Sequence, residues 1–217
     1  MAVERTLATS LGAAVLDGRG SLAQKLLLGF GLALIGSLVI AVSARVQVPF
    51  YPVPMTMQTF AVTLVAAAYG ARLGGAVMLL YLAEGALGLP VFANTPERGL
   101  GLAYMLGPTG GYLLGFVPAA AVVGWLTDRR PAPGCVRMTV AMLAGVTVIY
   151  FCGAIWFASL MHTGLRATLM IAVLPFVPMD AAKALAAAWA VSAFLGTKRE
   201  DPAEPGFVTG PIDTEQR

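Results

Sequence analysis

The sequence predicts an all-α, polytopic membrane protein with six transmembrane helices and a structured outer loop that caps a ligand pocket. Hydrophobic residues make up 58% of the chain and charged residues only 12%, about half the charged fraction of a typical soluble domain. The stretches 26–44, 99–127 and 138–165 contain no Asp, Glu, Lys or Arg. Each of them approaches or exceeds the roughly 20 helical residues that cross a hydrocarbon core, so the chain is predicted to lie in lipid.

Six apolar segments are the predicted spans, with boundaries at 22–44, 57–70, 72–89, 108–127, 137–161 and 167–196. A tight turn at Gly70-Ala71-Arg72 joins the second span to the third, and both of these are short. The 22–196 membrane domain is predicted to follow a cytoplasmic lead at 1–21. It is followed by a polar tail at 197–217, whose Pro and Gly content predicts disorder.

The distribution of basic residues predicts which side of the membrane holds the chain ends. Six spans place both ends on one side. If that side is the cytoplasm, ten Lys and Arg residues lie inside, against three outside at Arg45, Arg98 and Arg166. Because cytoplasmic segments carry the excess of Lys and Arg, both termini are predicted to be cytoplasmic. The segments after the first and third spans are then outside the cell membrane.

Both of these outer segments carry several prolines. VPFYPVPMTMQTF at 48–60 cannot form regular helix through Val48–Pro54, because each proline lacks an N–H donor and disfavours helix before it. The segment 90–107 is followed by Pro108 and the pair Gly110-Gly111, which suggests either close backbone approach or exposed amides at a helix start. Irregular backbone at membrane depth is tolerated against protein or a water-filled cavity. The two segments are therefore predicted to roof a pocket.

The sequence lacks the motifs of several function classes. The single histidine, His162, and the missing HExxH motif argue against a zinc hydrolase, and without GxxxxGK[ST] the chain has no P-loop for ATP. Basic residues form no run that would suggest nucleic acid. Cys135 lies in a polar loop and Cys152 in an apolar helix, which argues against both a disulfide and a metal site.

Apart from Lys25, Arg72 and Arg137 at the cytoplasmic ends of their spans, three charged residues lie inside predicted spans. A charge there costs about 3 kcal/mol on insertion scales and usually faces the protein interior. Asp180 and Lys183 are three residues apart and share a helix face. They either neutralise each other as a structural pair or form a polar ligand site, and one pair can do both. Glu84, near the outer end of the third span, either contacts the ligand or reaches the membrane interface.

The first span carries small residues at every fourth position. Small side chains at this spacing let another helix approach closely. The pattern predicts a docking face for another membrane subunit, although Gly and Ala are common enough in this chain for the spacing to arise by chance. The four residues are Gly29, Ala33, Ser37 and Ala41.

Four motifs, in order along the chain, resemble a known family. They are PVPMTMQTF at 52–60, GALGLPVFA at 85–93, GPTGGYLLGF at 107–116 and PMDAAKA at 178–184. Together they resemble the BioY family, whose members are the biotin-binding S components of energy-coupling factor (ECF) vitamin transporters. The resemblance extends from about Ala41 to Ala188 and covers most of the chain.

The resemblance implies the S-component fold in the bacterial cytoplasmic (inner) membrane, with a biotin pocket near the outer face that the loop after the first span closes. Asp180 would accept the ureido N–H groups of biotin, and Lys183 would donate to the ureido carbonyl. The chemistry of biotin adds further expected contacts to the head group and the ring, of which Asn94 lies in the 94–101 insert outside the family pattern. They are Thr56, Gln58, Thr59, Asn94, Glu84, Tyr112, Phe92 and Phe50. The biotin carboxylate would face Arg98, Arg45 or the amides of Gly110 and Gly111.

The resemblance also implies partners. An ECF transmembrane coupling protein would dock on Ala33, Ser37 and Ala41, and ATP would act only through ABC-type ATPase subunits. The chain itself would need no cofactor and catalyse no reaction, with membrane lipid around it, no nucleic acid bound and a homo-oligomer left open. One alternative is an S component for a different vitamin. Another is a small intramembrane enzyme using Glu84, Asp180, Lys183 and His162, which lack a recognised catalytic spacing.

Overall fold

The computed structural model describes Gly12, Val15, residues 20–128 and residues 135–196, the last five without their side chains. The predicted disordered tail at 197–217, and most of the predicted lead at 1–21, lie outside the described residues. The elements in chain order are α1 (Leu22–Ser43), β1 (Gln47–Val48), β2 (Met55–Thr56), α2 (Gln58–Ala86), α3 (Gly101–Met105), α4 (Gly110–Asp128), α5 (Cys135–Met161), α6 (Leu165–Ala172) and α7 (Val177–Gly196).

Helix α1 begins at a capping box. The Ser21 hydroxyl accepts from the Gln24 amide at 3.3 Å, and the Gln24 side chain accepts from the Ser21 amide at 3.0 Å, so two N–H groups at the helix start are satisfied. Ala33, Gly36, Ser37 and Ile40 form its buried face. The opposite face exposes leucines and other large apolar side chains, as expected for a helix that meets lipid.

Helix α2 is two antiparallel halves joined at Gly70, which confirms the predicted turn. Gly70 has φ 79° and ψ 176°, a backbone region open essentially only to glycine. A Cβ on Gly74 would lie 3.2 Å from the Ala66 Cα, so the halves are in close contact. Asp128 Oδ2 accepts from the Ala71 amide at 3.0 Å and satisfies an N–H at the start of the second half.

The predicted six-span architecture agrees with these elements. By length and composition, α1, α2, α4 and α5 can each cross a membrane, and α6 with α7 forms one further candidate span bent by 53°. Dividing α2 at Gly70 gives the sixth segment. The first half of α2 has only twelve residues before Gly70 and rises about 18 Å, so this segment is shorter than the roughly 30 Å hydrocarbon core.

The structure corrects several predicted boundaries. The sixth span is not one helix over 167–196, because residues 173–176 form turns between α6 and α7. Pro175 lies in this break, and it lacks the N–H that a continuous helix would use. The third span ends at Ala86 rather than 89, and the fourth begins at Gly110 rather than 108. The short helix α3 in the second outer segment was not predicted.

The first outer segment is a β-hairpin whose loop contains the prolines. Strands β1 and β2 pair antiparallel, with Gln47 opposite Thr56 and Val48 opposite Met55. Residues 49–54 form the connection and contain no helix, which confirms the prediction from the prolines. The hairpin lies over the end of the bundle where the starts of α2, α4 and α7 line one cavity.

Candidate functional site

A cavity lies beneath the β-hairpin and contains about 610 Å³ of space when the open volume at its mouth is included. The hairpin contributes Val53–Thr56, and the start of α2 contributes Gln58 and Thr59. Helices α4, α5 and α7 supply most of the remaining wall, including Asp180 and Lys183 on α7, and the second outer segment adds part of it. The wall is mostly apolar. An apolar enclosure with a few polar groups is the usual form of a ligand pocket.

Asp180 is the most connected polar side chain in this cavity, and it is only 4% exposed. Its Oδ1 accepts from Thr59 Oγ1 and from Lys183 Nζ, each at 2.8 Å. Its Oδ2 accepts from the Tyr150 hydroxyl at 2.7 Å. Asp180 lies in the first turn of α7, where the positive end of the helix dipole favours a carboxylate. Three donors on three helices therefore hold one buried charge.

Lys183 neutralises Asp180 and also contacts the hairpin. Its Nζ donates to Asp180 Oδ1 at 2.8 Å and to the backbone carbonyl of Thr56 at 2.6 Å. The lysine is 8% exposed, so it is removed from water almost as fully as its partner. The structure brings together the predicted residues Asp180, Lys183, Thr56 and Thr59, and it ties the charged pair to strand β2.

Gln58 joins the same end of the cavity to the second half of α2. Its Oε1 accepts from Thr56 Oγ1 at 3.1 Å, and its Nε2 donates to the Tyr81 hydroxyl at 2.8 Å. Tyr81 in turn donates to the carbonyl of Val91 at 3.0 Å. Gln58 therefore links the hairpin to the second outer segment as well as lining the cavity.

The aromatic candidates divide between the cavity wall and the core. Tyr112 lines the cavity, and its hydroxyl donates to the Ala172 carbonyl at 2.5 Å. Phe50 lies edge-on to the cavity residue Phe176, with ring centroids 5.7 Å apart. Phe92, predicted to cover the ligand ring, is instead buried 5.1 Å from the ring of Tyr104. Tyr104 does line the cavity, and burial raises the pKa of its phenol.

Asn94, Arg98 and Arg45 lie outside the cavity wall, where they connect the two outer segments. Asn94 Oδ1 accepts from Gln47 Nε2 at 2.6 Å, and Arg98 Nη1 donates to the Pro52 carbonyl at 3.3 Å. Arg45 donates to the Thr95 carbonyl at 2.7 Å and to the Pro90 carbonyl. These bonds hold the hairpin against the second outer segment above the cavity.

Gly110 and Gly111 are packed by neighbouring groups instead of facing the cavity. A Cβ on Gly110 would lie 1.8 Å from the Met105 carbonyl oxygen, and one on Gly111 would lie 2.2 Å from the Trp156 Cβ. The Gly110 amide donates to the Gly107 carbonyl at 3.1 Å. Of the two sequence interpretations, close backbone approach is the one that this geometry fits.

Ala33 and Ser37 of the small-residue face of α1 are covered by the chain itself, which corrects the predicted docking face at these two residues. Ser37 is 1% exposed and donates to the carboxylate of Glu84 on α2. Ala33 is buried as well, and Ala41 packs against the same core, while Gly29 is only partly buried. Close approach at this spacing was correctly predicted, but its partner is α2. Glu84 accordingly contacts α1 and not the cavity.

Sequence reasoning missed Tyr150, which lies in an apolar part of α5 and belongs to none of the four motifs. Thirty residues separate it from Asp180, so no local spacing signals the contact. A tyrosine in the middle of an apolar helix offers one weak signal, because its hydroxyl needs a hydrogen-bond partner when buried. That signal does not identify the partner.

Comparison with known proteins identifies the family of this chain. A family model described as the BioY family matches residues 8–199. The chain belongs to the BioY family. It is therefore a multi-pass membrane protein of a transporter family, which confirms the resemblance that the four motifs carry.

Two relatives of this BioY-family chain match most of their own length. The probable biotin transporter BioY of Pyrococcus horikoshii is 37% identical over 147 residues, which cover 68% of this chain and 83% of the relative. The biotin transporter BioY of Thermotoga maritima is 36% identical over 149 residues, which cover 69% and 85%.

A solved structure with a similar fold is the crystal structure of the S-component for biotin from an ECF-type ABC transporter. The match has a TM-score of 0.68 at 23% sequence identity, and it covers 81% of this chain and 94% of that one. The BioY-family chain therefore has the S-component fold that its sequence predicted.

Proposed function

We propose that this chain captures biotin in the cavity beneath the hairpin, as the substrate-specific subunit of an ECF-type transporter. The observation that carries the proposal is the buried Asp180–Lys183 pair on the wall of an otherwise mostly apolar cavity. The relatives named as biotin transporters support the choice of ligand.

The hydrogen bonds of the pair leave one acceptor and one donor for a ligand. Asp180 receives three bonds from the described side chains, two on Oδ1 and one on Oδ2. A carboxylate has about four acceptor sites, so one remains on Oδ2. Lys183 uses two of its three N–H donors. A ureido group, which has an N–H beside a carbonyl, complements this adjacent acceptor and donor.

The remaining parts of biotin match the rest of the cavity. Its fused rings and alkyl chain suit the apolar walls, including Tyr112 and Phe176. The carboxylate would lie at the outer mouth, where we assign it to Arg98. Arg45 is engaged by two carbonyls, and Gly110 and Gly111 are packed. Arg98 is exposed and donates one hydrogen bond among the described residues, so its other N–H groups can bind an anion.

Transport would need partners, since a binding subunit cannot concentrate its ligand without an energy source. We assign ATP hydrolysis to ABC-type ATPases acting through a transmembrane coupling protein, because the sequence has no P-loop. The chain would lie in the cytoplasmic membrane with both termini in the cytoplasm, and it would release biotin unchanged. The exposed apolar face of α1, and not its small-residue face, is then the part of that helix left for lipid or a partner.

Mass spectrometry of small molecules released from the detergent-purified chain tests the proposal, together with titration of the emptied protein with biotin. We expect one biotin per chain and restored binding after exchange. A preparation that lacks biotin and binds a different vitamin from a panel would identify the substrate as that vitamin. Recovery of a chemically altered biotin would contradict the role of a binding subunit and indicate an enzyme.

A further inference from the structure

We propose that Tyr150 is a positioning residue for ligand recognition, whose hydroxyl orients the Asp180 carboxylate so that the remaining acceptor site on Oδ2 faces the ligand. This inference rests on the proposed function, because it concerns the same cavity. Tyr150 lines the cavity and donates to Asp180 Oδ2 at 2.7 Å.

The distribution of donors around Asp180 gives Tyr150 this role. Thr59 from α2 and Lys183 from α7 both bind Oδ1 and occupy it. Tyr150 from α5 donates the hydrogen bond that Oδ2 accepts within the described part of the chain. Without its hydroxyl, Oδ2 would have two open sites, and water could occupy the one that the ligand needs. Tyr150 therefore decides which direction Asp180 offers to an incoming N–H group.

The packing of the Tyr150 ring makes it a rigid support for this hydroxyl. The ring packs against a cluster formed by Val53, Phe157, Ala172 and Phe176. Val53 belongs to the hairpin and Phe176 to the break between α6 and α7, so the cluster that supports the ring joins two parts of the cavity wall. A hydrogen-bond donor on a packed ring loses little conformational freedom when it binds, which is the condition for a preorganised site.

A double-mutant cycle with biotin as the probe tests the inference on the purified full-length chain. Tyr150→Phe keeps the ring and removes the hydroxyl, and we expect it to weaken biotin binding about tenfold, or ~1.4 kcal/mol. In the Asp180→Asn background the same substitution should change the affinity less than threefold, because there is no carboxylate left to orient. Contacting residues that act as a unit show such non-additivity, whereas a purely structural role would cost the same in both backgrounds.

Tyr112→Phe is the matched control. Tyr112 is also a cavity tyrosine, but its hydroxyl donates to the Ala172 carbonyl. Its substitution should therefore have the same effect with and without Asp180→Asn. Tyr150→His, which keeps a ring donor, should bind biotin better than Tyr150→Phe. If Tyr150→Phe is not monodisperse on size exclusion, the His variant is used in the same cycle.

The outcomes separate this inference from the proposed function. If the wild-type chain binds biotin and the Tyr150 substitution changes the affinity less than twofold, or equally in both backgrounds, the positioning role is overturned and biotin capture stands. If the wild-type chain binds no biotin, the proposed function fails first. A loss of biotin affinity on Tyr150→Phe that occurs with Asp180 present, and is absent in the Asp180→Asn background, supports the inference.

Discussion

At the scale of single residues, Asp180 and Lys183 must be stabilised as buried charges and must also keep hydrogen-bonding groups for a ligand. Each is less than a tenth exposed, and removing two charges from water costs several kcal/mol per ion unless they are paired and hydrogen-bonded. Thr59, Tyr150 and the Thr56 carbonyl supply the additional bonds. The structural and ligand-binding interpretations of the pair are therefore compatible, because the bonds that stabilise the pair leave one donor and one acceptor without a partner among the described residues.

Asp180→Asn and Lys183→Ala should each weaken biotin binding at least tenfold, about 1.4 kcal/mol. The reason is that Asp180 supplies the acceptor, and Lys183 the donor, that the ureido group of biotin would bind. The measurement is equilibrium titration of purified variants that elute as monodisperse protein. Thr147→Val is the control, since Thr147 is exposed on α5 and bonds only within its own helix among the described contacts. Normal binding by both folded variants would leave the pair a purely structural role.

Arg98→Ala should weaken biotin binding about tenfold and leave the binding of biotinamide, which has no carboxylate, nearly unchanged. The reason is that a guanidinium pairs with a carboxylate more strongly than with a neutral amide. The neighbouring exposed Glu97→Gln is the control. An equal loss for both ligands would assign Arg98 to holding the hairpin through the Pro52 carbonyl instead of to the carboxylate.

At the scale of elements, the outer cover of the cavity is a composite of two segments. The hairpin and the 90–100 segment are joined by bonds from Arg45, Gln47 and Arg98 to the opposite segment. Lys183 adds a bond from the cavity wall to β2. The prolines explain why this cover is not helical, but its hydrogen bonds join residues about 45 to 127 positions apart and need the folded chain.

The turn in α2 depends on Gly70, so Gly70→Ala should destabilise the folded chain by about 1–3 kcal/mol, the cost of a non-glycine residue in this backbone region. Gly75→Ala is a matched control on the same helix, because a Cβ there would meet no atom within 4 Å and Ala has the higher helix propensity. Thermal unfolding in detergent measures both. Equal melting temperatures for the two variants would contradict the role of Gly70.

At the scale of the whole molecule, the six segments place the cavity and its cover at one end and the turn at Gly70 at the other. The first half of α2 begins at the cavity with Gln58 and Thr59, and the second half brings Tyr81 back to Gln58. The two halves of α2 therefore run from the cavity end of the bundle to the turn at Gly70 and back.

Cysteine labelling should show that the cavity end is outside the cell membrane. In a variant without native cysteines, Glu97→Cys should react with a membrane-impermeant maleimide on intact cells, and Arg72→Cys should react only after the cells are opened. Both positions are exposed in the structure. Labelling of Arg72→Cys on intact cells would reverse the orientation that the basic residues predict.

The sequence by itself determined the membrane class, the six segments, the turn at Gly70, the non-helical proline segment and the pairing of Asp180 with Lys183. Each depends on composition or on residues within a few positions of one another. Only the tertiary structure decided what lies opposite those features. It brought Tyr150 and Thr59 to Asp180, turned Ala33 and Ser37 toward α2, and packed Gly110 against Met105. Local sequence patterns determine which face of a helix carries the small or charged residues, whereas the neighbour of that face depends on how all the helices pack.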